Sequence, residues 1–312
     1  MKTQWATKQY GWLGGVVLVV FAALAPARAA EPLVDAAWLA ANVGKPGIAV
    51  LDLQSPTDFL RGHVPGAQNI DYYKDGWKED RADKVPEMFP EKLDRLLAHI
   101  GRLGIDNDTH VVIVPPGTSS RDMAFGTRIY WTFKVLGHDK VSLLDGGMAA
   151  YARDKKYPIE TGAAKPAEAK VFRANPRREM IATVDDVRRA LAAGTPLVDI
   201  RDESLHVGVV RSPKVPDAGT LPGAKNVPHT WLTVNAGGQL RNRAQLEHIY
   251  RVAGVPVSGD QIVFCNTGHL SSLGWFVASE LLGNKKARMY DGSMAEWSIL
   301  KAGPIEQKVK LP

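Results

Sequence analysis

The sequence predicts an α/β protein made of two homologous domains, each with a mostly parallel sheet covered by helices on both faces. Three observations predict this fold. Sequence marks in the first half recur in the same order in the second half, and short apolar runs alternate with amphipathic helical patterns in both. The 312 residues, 45% hydrophobic and 23% charged, suit two globular domains. Strands separated by helices are typical of parallel sheets.

The internal repeat consists of four pairs of matching segments. They are 49–53 with 196–200, 62–70 with 219–227, 135–137 with 281–283, and 144–148 with 290–294. Subtraction gives offsets of 147, 157, 146 and 146 residues, so the order is kept with little drift. This period is far longer than the roughly 20–50 residues of solenoid repeats. The repeat therefore indicates a duplicated domain.

The first 29 residues predict a secretory signal peptide. Lys2 and Lys8 precede the apolar run 12–24, and Ala27-Arg28-Ala29 follows it. The run is too short to span a bilayer comfortably. We expect cleavage after Ala29 to leave a secreted or periplasmic protein without a stable membrane anchor.

Composition narrows the range of ligands. Cleavage would remove three basic residues and lower the formal charge from +6 to +3. This small, evenly spread charge argues against a nucleic-acid partner. The eight histidines show no zinc-binding spacing, so we expect neither a metal site nor a cofactor.

The two copies are predicted to occupy residues 30–153 and 179–312. Residues 154–178 are rich in Lys, Ala and Pro with little periodicity, which predicts a linker. A signal peptide at 1–29 completes the division of the chain.

Each copy contains readable helices and strands. In the first copy the apolar stripe at 93–100 predicts a helix, and Val111–Val114 the strand after it. In the second copy Thr183 predicts a helix cap and Gly194 the end of that helix. Leu197–Ile200 then predicts a short buried strand.

Cys265 is the only cysteine, so no internal disulfide can form in the oxidising compartment that a signal peptide implies. The apolar strand Ile262–Phe264 precedes it, and a helical pattern follows Ser271. The thiol is thus placed at the carboxyl end of a strand, where open α/β sheets bind ligands. Pro115 aligns with Cys265 in the first copy, so we expect only the second domain to be catalytic.

A helix start suits an anionic sulfur. Its first N–H groups lack partners within the helix, and the aligned peptide dipoles favour negative charge. The thiolate is the nucleophilic form of cysteine. Gly268 allows the loop to curl so that successive N–H groups converge on one point. We expect these N–H groups to hold Cys265 as a thiolate or as a persulfide.

The remaining loop residues have less specific roles. His269 could donate to substrate oxygens or tune the thiolate, or it could simply be solvated. The other members of the candidate loop, which shape its backbone, are Asn266, Thr267, Leu270 and Ser271.

The repeated Asp-x-x, Gly-x-x-Pro-Gly-Ala and Asp-Gly-[Gly/Ser]-Met marks, with Cys-x-x-Gly only in the second half, resemble the tandem rhodanese family. The resemblance covers about Glu31 to Ile305. It implies a five-stranded parallel sheet in each domain, an inactive first domain and a persulfide on Cys265. It also implies a small anionic sulfur donor, thiosulfate or 3-mercaptopyruvate, and a thiol or cyanide acceptor. A non-enzymatic sulfur carrier is a further alternative.

Charged residues outside the loop are the remaining candidates. Asp199 and Arg201 end a strand, where they could brace the loop as an ion pair, or Arg201 could contact the substrate. The family tends to place a substrate-binding Arg shortly afterwards, where this chain has Leu205. Arg211 or Lys214 could replace it.

Two further sequence patterns do not indicate a ligand-binding site. Asp145-Gly146 and Asp291-Gly292 recur in both halves, which predicts turn residues. A cysteine phosphatase would need an Arg at the sixth position after the cysteine to grip phosphate, and Ser271 stands there. The sequence therefore favours sulfur chemistry over phosphate hydrolysis.

Overall fold

The computed structural model of the protein describes residues 1–3 and 30–310. Almost all of the predicted signal peptide lies outside the described residues. Within the described part of the chain, no helix is both long and apolar enough to cross a membrane.

The chain forms two five-stranded sheets in which every pairing is parallel. The first sheet has the order β1-β5-β4-β2-β3 and the second the matching order β6-β10-β9-β7-β8. The strands are β1 Leu33–Val34, β2 Ile48–Asp52, β3 Gln68–Asn69, β4 His110–Val114, β5 Val141–Leu144, β6 Ile181–Ala182, β7 Leu197–Asp199, β8 Lys225–Asn226, β9 Gln261–Phe264 and β10 Ala287–Tyr290. The predicted fold class is confirmed.

Helices flank both sheets. They are α1 Ala36–Asn42, α2 Pro56–Arg61, α3 Asp94–Arg102, α4 Ser120–Val135, α5 Gly147–Tyr151, α6 Val184–Ala193, α7 Glu203–His206, α8 Arg243–Val252, α9 His269–Phe276 and α10 Ser293–Ile299. A π-helical turn, Val277–Leu281, continues α9. As predicted, Thr183 caps α6, accepting from the Asp186 N–H, and Gly194 ends it with a left-handed φ of 69°. β7 stops at Asp199, one residue before the predicted strand end.

The two domains share a hydrophobic core through α4 and α9. The hydroxyls of Thr127 on α4 and Ser272 on α9 lie 2.9 Å apart, and Ser272 also donates to the Ala124 carbonyl at 3.2 Å. Buried residues of both domains, including Ile129 and Leu273, belong to one hydrophobic cluster. Burying each such side chain contributes about 1.5–3 kcal/mol. Because α9 packs on α4, the loop before α9 faces the first domain.

The predicted linker, 154–178, follows the surface of the first domain. The Lys170 N–H donates to the Gly101 carbonyl at 2.9 Å, and the Arg177 N–H donates to the Val135 carbonyl at 2.7 Å. A Cβ at Gly101 would lie 2.4 Å from the Lys170 oxygen, so only glycine permits this approach. Phe172 is buried in the shared core. The segment is irregular but anchored.

Candidate active site

Cys265 follows β9 directly and precedes α9, and it is only 1% exposed. Gly268 caps α9 in the left-handed conformation, with φ at 75°. A Cβ at Gly268 would lie 2.4 Å from a carboxylate oxygen of Asp291 and 2.6 Å from Arg128 Nη1. The tight turn and the crowded surroundings both require glycine at this position.

A serine hydroxyl fixes the cysteine loop. Ser293 Oγ accepts hydrogen bonds from the N–H groups of Cys265 at 3.0 Å and Gly268 at 3.2 Å, and donates to the Tyr290 carbonyl at 2.8 Å. It lies 3.9 Å from Cys265 Sγ. Ser293 has a φ of 53°, an uncommon conformation for a residue with a side chain. The first copy has Gly147 at this place, a difference that could have marked Ser293 in the sequence.

The expected convergence of loop N–H groups on the sulfur is therefore only partly met. Two of these groups point to the Ser293 hydroxyl because its oxygen occupies the inside of the turn. The N–H groups of Asn266, Thr267 and His269 make no hydrogen bond to another described residue. These three donors are free to bind an anion.

Pro115 occupies the place of Cys265 in the first domain. The Cys265 carbonyl accepts from the Met294 N–H at 3.1 Å, and the Pro115 carbonyl accepts from the Met148 N–H at 2.8 Å. Met294 and Met148 are repeat equivalents, so the two loops are held by the same hydrogen bond. The first domain has no thiol at this point.

Arg128, on α4 of the first domain, lies against the cysteine loop. Its Nη1 donates to the Gly268 carbonyl at 3.0 Å and pairs with the Asp291 carboxylate. Its guanidinium carbon lies 4.7 Å from the centre of the Trp131 ring. Arg128 is 1% exposed, yet its Nε and Nη2 have no partner among the described residues. Burial opposes its charge, but Asp291, Tyr72 and Cys265 together raise the pKa of the guanidinium.

Sequence reasoning missed Arg128. The available signal was an arginine in the middle of the helix, directly before the large side chains of Ile129, Tyr130 and Trp131. A charge is almost never buried there without a partner. The identity of that partner could not be read from the sequence.

Residues 77–89 of the first domain, named the strap here, cover the cysteine loop. Glu87 Oε2 accepts a hydrogen bond from Thr267 Oγ1 at 2.7 Å. Glu87 also pairs with Lys78 and, at 2.6 Å, with Lys214. Although burial opposes ionisation, these contacts lower the pKa of Glu87 to about 2. Lys214, predicted as a possible substrate-binding cation, is thus engaged with Glu87.

His269 lies between the loop and the first domain. Its Nδ1 is 3.1 Å from the Tyr72 hydroxyl, and its ring centre is 4.4 Å from that of Phe125. Nε2 is buried without a partner among the described residues. Burial, reinforced mainly by Arg121 and Arg128, lowers the pKa of His269 to about 3. The imidazole is therefore neutral at physiological pH.

Asp199 and Arg201 stand behind the loop. Arg201 donates to the Asp199 carboxylate through Nε at 2.8 Å and Nη2 at 2.6 Å, and through Nη1 to Asn266 Oδ1 at 3.3 Å. Burial opposes the charge of Asp199, but Arg201 and His206 hold its pKa well below the usual range. Of the two roles considered for Arg201, its contacts are those of a brace.

The other predicted residues differ in position. Leu270 is buried in the shared core, and Ser271 Oγ is buried without a partner among the described residues. Arg211 is not brought to the loop: it is exposed, and its Nη1 donates to the Val215 carbonyl at 3.1 Å in its own turn. The described residues contain no group of three His, Cys, Asp or Glu side chains placed to hold a metal.

Two parallel α/β domains, with one cysteine loop at the carboxyl end of a strand in the second domain, define a class of tandem-domain α/β proteins. The model of the rhodanese-like domain matches residues 35–154 and 183–300. The chain belongs to the rhodanese-like family.

Several relatives match nearly the whole chain. "Putative thiosulfate sulfurtransferase 1" of Mycobacterium bovis is 30% identical over 285 residues, covering 88% of this chain and 98% of that protein. "Sulfur carrier protein TtuD" of Thermus thermophilus is 31% identical over 293 residues, covering 88% and 96%. The crystal structure of the 3-mercaptopyruvate sulfotransferase SseA from Escherichia coli has a TM-score of 0.70 and 27% identity, covering 85% of this chain and 99% of that one. The protein is a sulfurtransferase.

Proposed function

We propose that the protein moves a sulfane sulfur from thiosulfate to a thiophilic acceptor through a persulfide on Cys265. The main support is the position of the only thiol. It lies on a loop with three free N–H groups, and the buried guanidinium of Arg128 contacts the same loop. The name of the Mycobacterium bovis relative supports thiosulfate as the donor.

In the first half-reaction the Cys265 thiolate attacks the outer sulfur of thiosulfate. The sulfur–sulfur bond of the donor breaks, and sulfite leaves with its electron pair. A new bond joins Cys265 Sγ to the transferred sulfur, which carries the negative charge as Cys265–S–S⁻. The charge of −3 is conserved. The free loop N–H groups stabilise this anion between the half-reactions.

In the second half-reaction the acceptor attacks the outer sulfur of the persulfide. With cyanide, a carbon–sulfur bond forms, thiocyanate leaves and the Cys265 thiolate returns with the electron pair of the broken bond. A single cysteine suffices for this ping-pong cycle. Pro115 at the equivalent position supports an inactive first domain.

Substitution of the thiol tests the proposal. Cys265→Ser should abolish thiosulfate-dependent formation of thiocyanate from cyanide, because an alcohol forms no persulfide. The wild-type protein incubated with thiosulfate should gain about 32 Da on Cys265, and cyanide should remove it. Ser298→Ala, a hydroxyl change on α10 whose partner is Asp217, is the control. Thiocyanate formation at the wild-type rate by Cys265→Ser would refute the proposal.

Two alternatives each have an observation in their favour. The fold likeness to SseA supports 3-mercaptopyruvate as donor, and the likeness to TtuD supports a sulfur carrier. Steady-state kcat/KM measured with each donor tests the first alternative, which predicts a higher value for 3-mercaptopyruvate than for thiosulfate. A persulfide that forms once and turns over only with a partner protein would indicate the carrier.

We also propose that the protein works outside the cytoplasm, as the sequence of residues 1–29 supports. Expression in a bacterial host, followed by fractionation and N-terminal sequencing, tests this. Cleavage after Ala29 or Ala30 in the periplasmic fraction is expected. An intact N-terminus in the cytosolic fraction would contradict it.

A further inference from the structure

The cysteine loop lacks a charged donor of its own. Its sequence, Cys-Asn-Thr-Gly-His-Leu-Ser, has neither Arg nor Lys. His269 is buried, and its lowered pKa keeps the imidazole neutral at physiological pH. A thiolate and an anionic donor in contact repel each other, and the repulsion is stronger in a buried site than in bulk water. Catalysis on an anionic donor therefore calls for a cation from elsewhere.

Three cations around the loop are engaged by protein groups, and a fourth, Arg121, is exposed. Arg201 is bound to Asp199, Asn266 and the Gly219 carbonyl. Lys78 and Lys214 both pair with Glu87 of the strap. These contacts leave them little capacity for a small anion next to the sulfur.

Arg128 is different. A guanidinium has five N–H donors, and the two on Nη1 point to the Gly268 carbonyl and to Asp291. The three remaining donors, on Nε and Nη2, are buried and have no partner among the described residues. Buried donors are nearly always hydrogen-bonded to protein, water or a ligand, so these three donors are available to an anion.

We propose that Arg128 of the first domain binds the anionic group of the sulfur donor at Cys265, so that the substrate site is shared between the two domains. The fork of Nε and Nη2 suits two oxygens of a sulfonate or carboxylate. The inference rests on the proposed function only in requiring a small anionic donor. It assigns a binding role to the domain that lacks the thiol.

The decisive measurement compares alkylation of Cys265 by iodoacetate, which is anionic, with alkylation by iodoacetamide, which is neutral. Arg128→Met should lower the iodoacetate-to-iodoacetamide rate ratio by about 10-fold or more, the effect of losing a charged hydrogen bond. The rate ratio of Arg128→Lys should lie between those of the wild type and Arg128→Met, because lysine keeps the charge but lacks the planar fork of donors. KM for thiosulfate should rise about 10-fold in Arg128→Met, with a smaller change in kcat.

Controls separate binding from folding. Arg177→Met removes an ion-paired arginine of the linker, whose partners in the first domain are Asp139 and the Gly137 carbonyl, and should leave the ratio unchanged. Arg128→Met leaves Asp291 buried without its cation, so the double variant Arg128→Met/Asp291→Asn removes both charges. Circular dichroism and the melting temperature report whether each variant is folded.

The outcomes are distinguishable. A folded Arg128→Met or double variant with the wild-type rate ratio would overturn the inference and reduce Arg128 to a structural ion pair. If the wild type shows no thiosulfate turnover but the ratio still falls in Arg128→Met, the proposed donor is wrong and the shared anion site stands.

Discussion

Ser293 combines an unfavourable backbone conformation with three hydrogen bonds of its hydroxyl. Its φ of 53° disfavours every residue except glycine, Asn and Asp, yet its oxygen satisfies two buried N–H groups of the cysteine loop. The equivalent residue of the first domain is Gly147, which has the same conformation with φ at 57° and no hydroxyl. Of these two equivalent positions, only the one beside the thiol places a side chain in this conformation. Local strain of this kind clusters at active sites.

This arrangement predicts different results for two substitutions. Ser293→Ala keeps the strain and leaves two buried N–H groups unpaired, so it should destabilise the protein by about 2–4 kcal/mol. Ser293→Gly loses the same acceptor but relieves the backbone, and should be about 1 kcal/mol more stable than Ser293→Ala. Urea unfolding measures both, with Ser298→Ala as control. An alanine variant as stable as the wild type would show that the loop does not depend on the hydroxyl.

His269 predicts a pH dependence of stability. Its pKa falls from 6.5 to about 3 on folding, so the unfolded chain binds more protons between these values. Stability from this group is complete above pH 6.5 and is lost as the pH falls towards 3. At pH 5 the loss is at most about 2 kcal/mol.

Comparison of two variants isolates this contribution. His269→Gln should lose less unfolding free energy than the wild type between pH 7 and pH 5. His248→Gln, which changes an exposed histidine on α8, should lose as much as the wild type. Parallel stability curves for His269→Gln and the wild type would mean that the imidazole is protonated in the folded state.

Reciprocal contacts join the domains at the level of elements. The strap reaches the second domain, where the Phe89 N–H donates to Asp291 at 2.6 Å. In the opposite direction, the Leu240 N–H donates to Asp145 at 2.8 Å. Asp145 and Asp291, predicted as turn residues, each accept an N–H from the other domain. That prediction was incomplete because a local motif carries no information about a contact 95 or 202 residues away.

The strap should control access to the thiol. Glu87→Gln removes the charge that pairs with Lys78 and Lys214 and weakens the bond to Thr267. Iodoacetamide should then alkylate Cys265 about 5–10-fold faster, since charged hydrogen bonds contribute about 1.5–3 kcal/mol.

Asp83→Asn is the matched control for the strap. It removes a carboxylate of the same segment that pairs with Arg81 and has no contact with the cysteine loop. It should leave the alkylation rate within about twofold of the wild type, since exposed ion pairs contribute little. An unchanged rate in Glu87→Gln would mean that the thiol is reached by another route.

Sequence patterns predicted what local forces determine. Thr183 and Gly194 bound α6 as predicted, because caps act over a few residues. The repeat predicted two homologous domains, and the structure shows that their sheets have the same strand order. Arg128 and Glu87 come from the other domain and reach the cysteine loop only through tertiary packing. Their neighbours in sequence therefore give no indication of the loop they contact.

At the scale of the whole molecule, the two domains behave as one structural unit. One hydrophobic cluster contains residues of both domains. The hydroxyls of Thr127 and Ser272 are hydrogen-bonded across the interface between α4 and α9. The cysteine loop lies at this interface. The thiol is on one side, and on the other is the Arg128 guanidinium, which pairs with Asp291 and has no partner for Nε and Nη2 among the described residues. The first domain, which has Pro115 at the place of Cys265, thus contributes a buried guanidinium to the cysteine loop.

A shared core predicts one cooperative unfolding transition, with equal calorimetric and van't Hoff enthalpies. Thr127→Asp places an unpaired carboxylate between α4 and α9, where burying a charge costs several kcal/mol, so the domains should separate. Its calorimetric trace should split into two transitions. Thiosulfate turnover should also fall, because Arg128 would no longer lie next to the cysteine loop to bind the donor. The same change at the exposed Thr57, in the first turn of α2, should preserve the single transition. Two transitions in the wild type would mean that the domains fold independently and that the interface adds little to stability.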